Sequence, residues 1–463
     1  MSDEASSSVK NRTGQTDFLN GSLRDKIILF ALPITITNIL QQLFNTADIA
    51  VVGRLVGKDA LAAVGSTGPV ISLFITLFSG LAAGANAVIS RCIGAGDEKS
   101  ARRAVHTSVA VALAAGIAVT VLGEIVSAPL LKAVGTPANV LEAAVRYMRI
   151  YFSGSIFVML YNFEAAILRS AGDTKTPVYV LFVSGVVNLG LNLLFVLGFG
   201  MSVDGVALAT MISNVISGVI LFIILMRGKG IIHIEISEIR FSGAVKNILR
   251  IGIPAAIQGV LFNAANILIQ SGINSLGADV VAGATVGQNV ETYAYFAAAG
   301  LGQASITFTS QNYGAGKLER CAETAKQCLL IGIISISMIS AVMIIFRARL
   351  AGIFTSDEEV IRTASTRIMI IAGFEIFNMM IEVMSGALRG VGYSVLPTGL
   401  SVIFICGVRL IWLFFVFPLN RTFSWLFAVY PVSWILDDIS LFAAYFYIMK
   451  KLFSRRAKDA GDA

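Results

Sequence analysis

The chain has 463 residues, of which 56% are hydrophobic and only 14% are charged, and its mean hydropathy is +0.80. Soluble domains carry about 25% charged residues. So few charged side chains cannot cover the apolar surface of a soluble protein of this length, and the composition therefore indicates a membrane protein.

Residues 1–25 are polar and serine-rich and lack the features of a signal peptide, so the first span is predicted to be an uncleaved anchor. From there on, apolar runs of about 20 residues alternate with short charged or glycine-rich loops. This pattern is typical of a polytopic helical protein, because lipid offers the backbone no hydrogen-bond partner. The twelve predicted spans cover residues 27–54, 60–86, 104–130, 145–168, 177–200, 203–226, 247–273, 280–308, 323–346, 366–388, 396–418 and 424–449.

Basic residues predict how these spans are oriented. If both termini are cytoplasmic, the tails and the even-numbered loops hold most of the 35 lysines and arginines. This positive-inside bias predicts a multi-pass protein of the plasma (cytoplasmic) membrane with both termini inside the cell. It also accounts for the net charge of +7 without a nucleic-acid partner.

The chain contains two copies of one half. The segment "RCIGAGDEKSARRA" at Arg91 corresponds to "QNYGAGKLERCAET" at Gln311, and the same offset relates "ILRSAGDTKTPV" at Ile167 to "ALRGVGYSVLPT" at Ala387. Six spans return the chain to the same side, so the sequence predicts two pseudo-symmetric six-helix bundles in parallel repeat with a central cleft. The predicted domains are a cytoplasmic tail at 1–25, a six-helix lobe at 26–226, a cytoplasmic linker at 227–246, a second six-helix lobe at 247–450 and a basic cytoplasmic tail at 451–463.

Span 1 carries a polar stripe inside an otherwise apolar helix. Gln41, Asn45 and Asp48, in "QQLFNTADIAVV", are spaced i, i+4, i+7 and share one helical face. An ionisable residue at the bilayer centre costs about 2.5–3.5 kcal/mol and marks a functional site by default. Asp48 is therefore the first candidate functional residue.

Neutral oxygen ligands accompany Asp48 in the first half. Asn188 and Asn192 lie one turn apart in span 5, and Thr210 adds a hydroxyl in span 6. If these faces meet, one carboxylate and several neutral oxygens suit Na⁺, with Asp48, Asn188 and Asn192 as possible ligands, or a proton on Asp48. The alternative is a hydrogen-bonded patch that joins the helices.

The second half is predicted to supply much of a substrate cleft. Glu375, Asn378 and Glu382 share one face of span 10 with interleaved methionines, which suit promiscuous apolar surfaces. Acidic points between adaptable apolar walls complement lipophilic cations. The predicted cleft residues are Gln41, Asn45, Gln258, Asn263, Asn266, Glu291, Asn378, Met380 and Glu382.

Other buried charges are predicted to pair with one another. Glu375 has two candidate partners, Arg367 and Arg409. Asp437 and Asp438 in span 12 are predicted to be counter-ions of Arg409.

The sequence predicts neither an enzyme nor a cofactor. The four cysteines and two histidines lack metal-ligand spacing, and no acid within the spans pairs with a histidine. In neither glycine-rich segment does a lysine followed by serine or threonine come directly after the last glycine, since Asp97 and Glu98 separate Gly96 from Lys99-Ser100, so these segments do not form a nucleotide-binding loop. We expect small lipophilic, often cationic substrates and membrane lipids as partners, no nucleic acid, and a monomer.

These features resemble the multidrug and toxic compound extrusion (MATE) family. The resemblance covers nearly the whole chain: the doubled half, Pro33 and Pro254 near the starts of spans 1 and 7, and the "GAG" and "LR-x-x-G" segments of both halves. It implies an antiporter that exports lipophilic organic cations and other drugs by alternating access, driven by Na⁺ or H⁺. It also implies that the coupling-cation site consists of the following residues: Asp48, Asn188, Asn192 and Thr210.

Two points stay open at this stage. Relatives that resemble the NorM group carry acids in spans 7 and 10, where this chain has the region of Asn263 and Asn378, so an ion site in the second half is not predicted from them. The alternative function is a flippase for lipids or lipid-linked oligosaccharides, from the same broad superfamily. Twelve spans and an acidic cleft favour drug export over transport of lipid phosphates.

Overall fold

A computed structural model describes residues 17–461, and side chains through residue 458. Within this range the backbone forms helices joined by short turns, and no strand occurs, so the predicted all-α polytopic class is confirmed. The helices are α1 (Leu23–Val51), α2 (Lys58–Gly94), α3 (Glu98–Ala133), α4 (Ala138–Ser153), α5 (Ser155–Ser170), α6 (Lys175–Leu193), α7 (Val203–Arg227), α8 (Ala244–Asn274), α9 (Ala278–Gly314), α10 (Leu318–Ile345), α11 (Arg347–Gly352), α12 (Glu358–Gly390), α13 (Val395–Ser401), α14 (Val408–Ile411), α15 (Phe423–Phe427) and α16 (Val429–Gly461).

Four of these helices continue into a single turn of π-helix. Such turns are rare, and they occur frequently at functional sites. They follow α1, α6, α13 and α14, at Val52–Val56, Leu194–Gly198, Val402–Gly407 and Trp412–Val416.

Ten helical stretches among the described residues are long and apolar enough to cross a membrane. α4 and α5 provide an eleventh crossing when the bent pair is taken as one span. The predicted eighth span corresponds to α9, which has 37 residues but is less apolar than the other ten. At about 1.5 Å per residue its length alone exceeds the thickness of a bilayer.

The predicted fourth span is not one straight helix. α4 and α5 meet at Gly154 with a bend of 46°. Glycine and serine side by side are a common cause of sharp kinks, and the local sequence here is Ser153-Gly154-Ser155. The region predicted as a single straight span at 145–168 is therefore two helices with a bend between them.

The chain divides into two compact units. The first unit contains residues 36–93 and 97–249. The second contains the chain from Arg250 onward, residues 94–96, and the N-terminal part of α1 through Thr35. The second unit begins at Arg250, near the lobe boundary at residue 247 that the duplication predicts. The duplication does not predict that α1 through Thr35 groups with the second unit.

The second unit is built around close packing of α9 on α12. A Cβ atom added at Gly386 of α12 would lie 2.7 Å from the backbone oxygen of Gly302 on α9, so these two backbones touch directly. Small residues that permit such an approach are typical of helix packing in membranes, where van der Waals contact replaces the hydrophobic effect.

The segment that precedes α1 is anchored inside the second unit. Phe18 is buried and packs edge-on against Phe30 and Phe308, with ring centroids 5.8 and 4.5 Å away. Arg320 on α10 donates hydrogen bonds to the backbone oxygens of Phe18 and Gly21. The rest of the predicted N-terminal tail, residues 1–16, and residues 462–463 of the predicted C-terminal tail lie outside the described residues.

Candidate functional site

The structure separates the members of the predicted polar stripe on α1. Asp48 is buried, with 8% of its surface exposed, whereas Gln41 and Asn45 are exposed. Of the three residues that the spacing predicts on one face, only Asp48 turns into the interior of the first unit. Gln41 and Asn45 stay predicted cleft residues.

The four residues of the predicted cation site come together in the first unit. Asn192 Nδ2 donates to Asp48 Oδ1 at 2.5 Å, and the Thr210 hydroxyl lies 3.3 Å from Asp48 Oδ2. Asn192 Nδ2 also lies 3.2 Å from Asn188 Oδ1, and Asn188 Nδ2 donates to Thr210 Oγ1 at 3.4 Å. We call Asp48, Asn188, Asn192 and Thr210 the Asp48 cluster.

Packing between α1 and α6 holds this cluster together. Phe44, one turn before Asp48, packs its ring against Gly185 of α6, three residues before Asn188, where an added Cβ would collide with the ring. The π-helical turns of both helices begin directly beyond the cluster, four residues after Asp48 and two after Asn192. Both helices thus carry a polar group into the interior and change their winding immediately afterwards.

The electrostatics of the Asp48 cluster are unbalanced. Its only carboxylate receives hydrogen bonds from neutral groups, and no ion pair to Asp48 is found within residues 17–461. Asn192 is fully buried, and its side-chain oxygen has no hydrogen-bond partner among the described residues. A buried carboxylate without a cationic partner is costly, so the arrangement suits a proton or a hard monovalent cation with oxygen ligands.

Two further buried polar residues of the first unit are not among the site residues predicted from the sequence. Tyr147 on α4 is buried beside Thr210 and Asp48. Glu164 on α5 is fully buried, and neither of its carboxylate oxygens has a hydrogen-bond partner in the described part of the chain. The sequence does give a signal for Glu164, an acid inside an apolar span, which is the same signal that identifies Asp48.

Glu291, a predicted cleft acid of the second unit, forms a buried ion pair. Its carboxylate accepts from Arg367 Nη2 at 2.5 Å and from Nε at 3.1 Å, and the two side chains are 14% and 6% exposed. Arg367 also donates to the backbone oxygen of Ala284 and lies over the ring of Phe427. Arg367 is thereby occupied, so its predicted pairing with Glu375 is wrong.

The acids of α12 form a separate polar group. Glu375 is buried and accepts a hydrogen bond from Asn378 Nδ2 at 2.8 Å. Glu382 lies one turn beyond Asn378, is half-buried, and interacts with the side chain of Tyr295 on α9. The i, i+3, i+7 pattern in the sequence therefore places these acids on one side of α12, as predicted, while their contact with a substrate stays a prediction.

The predicted cleft residues of α8 serve largely as hydrogen-bond partners within the second unit. Gln258 Oε1 accepts from Arg389 at 2.7 Å and from the Thr398 hydroxyl at 3.2 Å. Asn263 donates to the backbone oxygen of Gly259 within its own helix. Met380, on α12, packs against the apolar core that surrounds Phe18 and Phe308.

Arg409 is bound to residues other than those predicted. Its Nη1 donates to Asn266 Oδ1 at 2.7 Å, and its guanidinium lies 4.3 Å from the ring centre of Tyr430. Throughout the described chain it forms no ion pair with Asp437, Asp438 or Glu375. The predictions that Arg409 neutralises these acids are therefore wrong.

Helices long enough to span lipid, two units from a duplicated half, and carboxylates buried without counter-ions define a polytopic membrane transporter. A family model described as MatE matches residues 33–194 and again residues 254–415, which together are well over half of the chain. The chain therefore belongs to the MatE family, and the resemblance noted from its motifs is confirmed. The two equally long matches also support the duplication.

Individual relatives agree with this assignment. The chain is 29% identical to the probable multidrug resistance protein YoeA of Bacillus subtilis, over 91% of this chain and 93% of that protein. It is also 29% identical to the probable multidrug resistance protein NorM of Thermotoga maritima, over 84% of each chain. A solved outward-facing MATE family transporter matches 94% of this chain and 98% of its own, with a TM-score of 0.86 at 22% identity, and thus shows the same fold.

Proposed function

We propose that this chain is a multidrug efflux antiporter that exports lipophilic, often cationic compounds by alternating access in exchange for Na⁺ or H⁺. The observation that carries the proposal is the buried Asp48 carboxylate, whose hydrogen-bond partners are all neutral. Relatives named as multidrug resistance proteins support the class of substrate. The positive-inside distribution of basic residues supports a plasma-membrane protein with cytoplasmic termini.

The Asp48 cluster offers a physical route from cation binding to movement of the helices. The Thr210 hydroxyl has one proton and two acceptors in reach, Asp48 Oδ2 at 3.3 Å and the Val206 backbone oxygen at 3.0 Å. When a proton neutralises Asp48, its carboxyl oxygen becomes a weaker acceptor, so the hydroxyl's bond within α7 is favoured. The link between α7 and α1 then weakens, so cation binding biases the packing of these helices.

Coupling then follows from linkage. A cation that binds one arrangement of α1, α6 and α7 more tightly than the other shifts the equilibrium between them by that difference in affinity. By reciprocity, a substrate that favours the opposite arrangement lowers the affinity for the cation, which is the thermodynamic condition for exchange.

The test is ethidium export from proteoliposomes under a Na⁺ gradient or a pH gradient, each imposed separately. We expect Asp48→Asn to abolish gradient-driven export while leaving membrane insertion intact, because the amide cannot carry the coupling charge. Asp59→Asn is the matched control, since Asp59 is an exposed carboxylate of the same unit. Full export by Asp48→Asn would refute the coupling role of Asp48. If the unmodified protein exports no cation, the result favours lipid flipping instead.

A further inference from the structure

A pair of carboxylates lies buried in α16, far along the chain from the Asp48 cluster. Asp437 is fully buried and Asp438 is 5% exposed, although both lie within a stretch apolar enough to cross the membrane. Three of their four carboxylate oxygens, Asp437 Oδ2 and both oxygens of Asp438, have no hydrogen-bond partner within residues 17–461. The pairing with Arg409 expected from the sequence does not supply one.

Hydroxyl groups approach this pair from two sides. On α16 itself, the Ser440 hydroxyl donates to the backbone oxygen of Asp437 and lies 3.5 Å from its Oδ1. Ser401, the last residue of α13, is fully buried and faces the Asp437 carboxylate. Its hydroxyl forms no hydrogen bond of standard geometry in the described chain. An unused buried hydroxyl beside unpartnered carboxylates calls for a partner that the described residues do not supply, such as a water molecule or an ion.

The charged groups of the surrounding helices are directed elsewhere. Arg367 and Arg389 on α12 bind Glu291 and Gln258. Facing the pair from the π-helical turn after α13 is Cys406, a neutral thiol in the neighbourhood of Asp437. Tyr445, two turns along α16, lies near Cys321 of α10. Arg409 also lies near Cys406, but it is bound to Asn266 and Tyr430, so among residues 17–458 no basic side chain forms an ion pair with either carboxylate.

Two adjacent buried carboxylates cannot both stay ionised without a cation, because each is desolvated and each repels the other. The described residues contain no group of three or more histidine, cysteine or acidic side chains placed to hold a metal, which argues against a multivalent ion. We propose that Asp437 and Asp438, with the Ser401 and Ser440 hydroxyls, bind one monovalent cation, Na⁺ or H⁺, inside the second unit. The role of this site as a second coupling site rests on the proposed antiport function. The binding of a cation to the site does not depend on that function.

The experiment isolates this site from the Asp48 cluster. The full chain carrying Asp48→Asn is placed in lipid nanodiscs, and binding of radioactive Na⁺ is measured at mildly alkaline pH. We expect Asp438→Asn to weaken Na⁺ binding at least about ten-fold, or about 1.4 kcal/mol. Asp279→Asn, an exposed carboxylate of the same unit, should leave it unchanged. Ser401→Ala should weaken binding without removing a charge, which keeps the test valid if an acid variant fails to fold.

Infrared spectroscopy of the same samples distinguishes the two cations. If no Na⁺ binds, H⁺ is supported as the ligand by a carboxylic-acid band that changes with pH and that Asp438→Asn removes. The inference is overturned if Asp438→Asn and Asp279→Asn give the same Na⁺ binding and the same acid band. If the unmodified protein, with Asp48 intact, exports nothing under either gradient while Asp438 still binds a cation, the antiport function is refuted and this site stands.

Discussion

Single residues differ in function here according to the partners of their carboxylates. Asp48 accepts hydrogen bonds from neutral groups only, whereas Glu291 receives two from the guanidinium of Arg367. The charge of Glu291 is thereby balanced within the second unit. We infer that Glu291 stabilises the packing of α9 against α12, whereas no cationic side chain balances Asp48 among the described residues, as the proposed cation coupling requires.

Glu291→Gln tests this difference. Breaking a buried ion pair from one side costs about 3–5 kcal/mol, because the remaining charge stays buried without compensation. We expect a marked loss of thermal stability in detergent, which is partly restored when Arg367→Met is added.

The control for Glu291→Gln is Glu359→Gln, which breaks the exposed pair with Arg362 on α12. Exposed pairs contribute about 0–1 kcal/mol, so stability should hardly change. If Glu291→Gln instead keeps full stability but loses cationic substrates selectively, Glu291 lines the substrate path.

Residue-level prediction from the sequence succeeds where the relation is local. Asn188 and Asn192, spaced i, i+4, are in contact at 3.2 Å. The family resemblance predicts that Asp48 and Thr210 lie beside them, and these two side chains are 3.3 Å apart. The partners of buried charges cannot be predicted in this way, because they lie on other helices. Glu291 and Arg367 are 76 residues apart, and Arg409 and Asn266 are 143 apart, so no local pattern identifies them.

At the scale of helices, the Asp48 cluster depends on one close approach. Gly185 of α6 receives the ring of Phe44 from α1, and this contact fixes the side-by-side position of the two helices that carry Asp48 and Asn192. A residue without a side chain is needed because any Cβ would occupy the space of the ring. The contact lies one turn from the polar groups, so we expect a small displacement there to change hydrogen bonds in the Asp48 cluster.

Gly185→Ala should therefore separate α1 from α6. Overpacking a close-packed position typically costs about 1–3 kcal/mol, and we expect lower thermal stability together with weaker cation-driven export. Adding Phe44→Leu should restore both properties by making room for the new methyl group.

Gly190→Ala provides the matched control for Gly185→Ala, because it lies on the same helix with nothing within 4 Å of an added Cβ. It should be neutral or slightly stabilising, since alanine favours helix over glycine. Equal effects of the two substitutions would show that the Phe44 contact does not position the site.

Helix irregularities mark the limit of prediction at this scale. Hydropathy averages over windows of about 20 residues, so it locates apolar spans but not a 46° bend at Gly154 or a single π-helical turn. Both kinds of departure depend on packing against neighbouring helices, which the local sequence does not contain.

For the whole molecule, the duplication is clear in sequence while the chemistry of the halves is unequal. The family model matches both halves over equal lengths. The first unit places its unpaired Asp48 on α1, and the second places Asp437 and Asp438 on α16, the last helix of the chain. An inherited fold has therefore acquired buried acids at non-equivalent positions, as expected if the two units contribute differently to exchange.

The orientation of the whole chain is testable from its two final spans. The positive-inside rule predicts that the end of α16, which carries Lys450, Lys451 and Arg455, is cytoplasmic, so the turn before α15 faces outward. In a Cys92→Ala background, whose other three cysteines are buried, a membrane-impermeant maleimide should label exposed Ser454→Cys only in inside-out vesicles. Exposed Asn420→Cys should be labelled only in right-side-out vesicles. The reversed pattern would contradict cytoplasmic termini, and labelling of both from one side would show that α15 and α16 do not cross the bilayer.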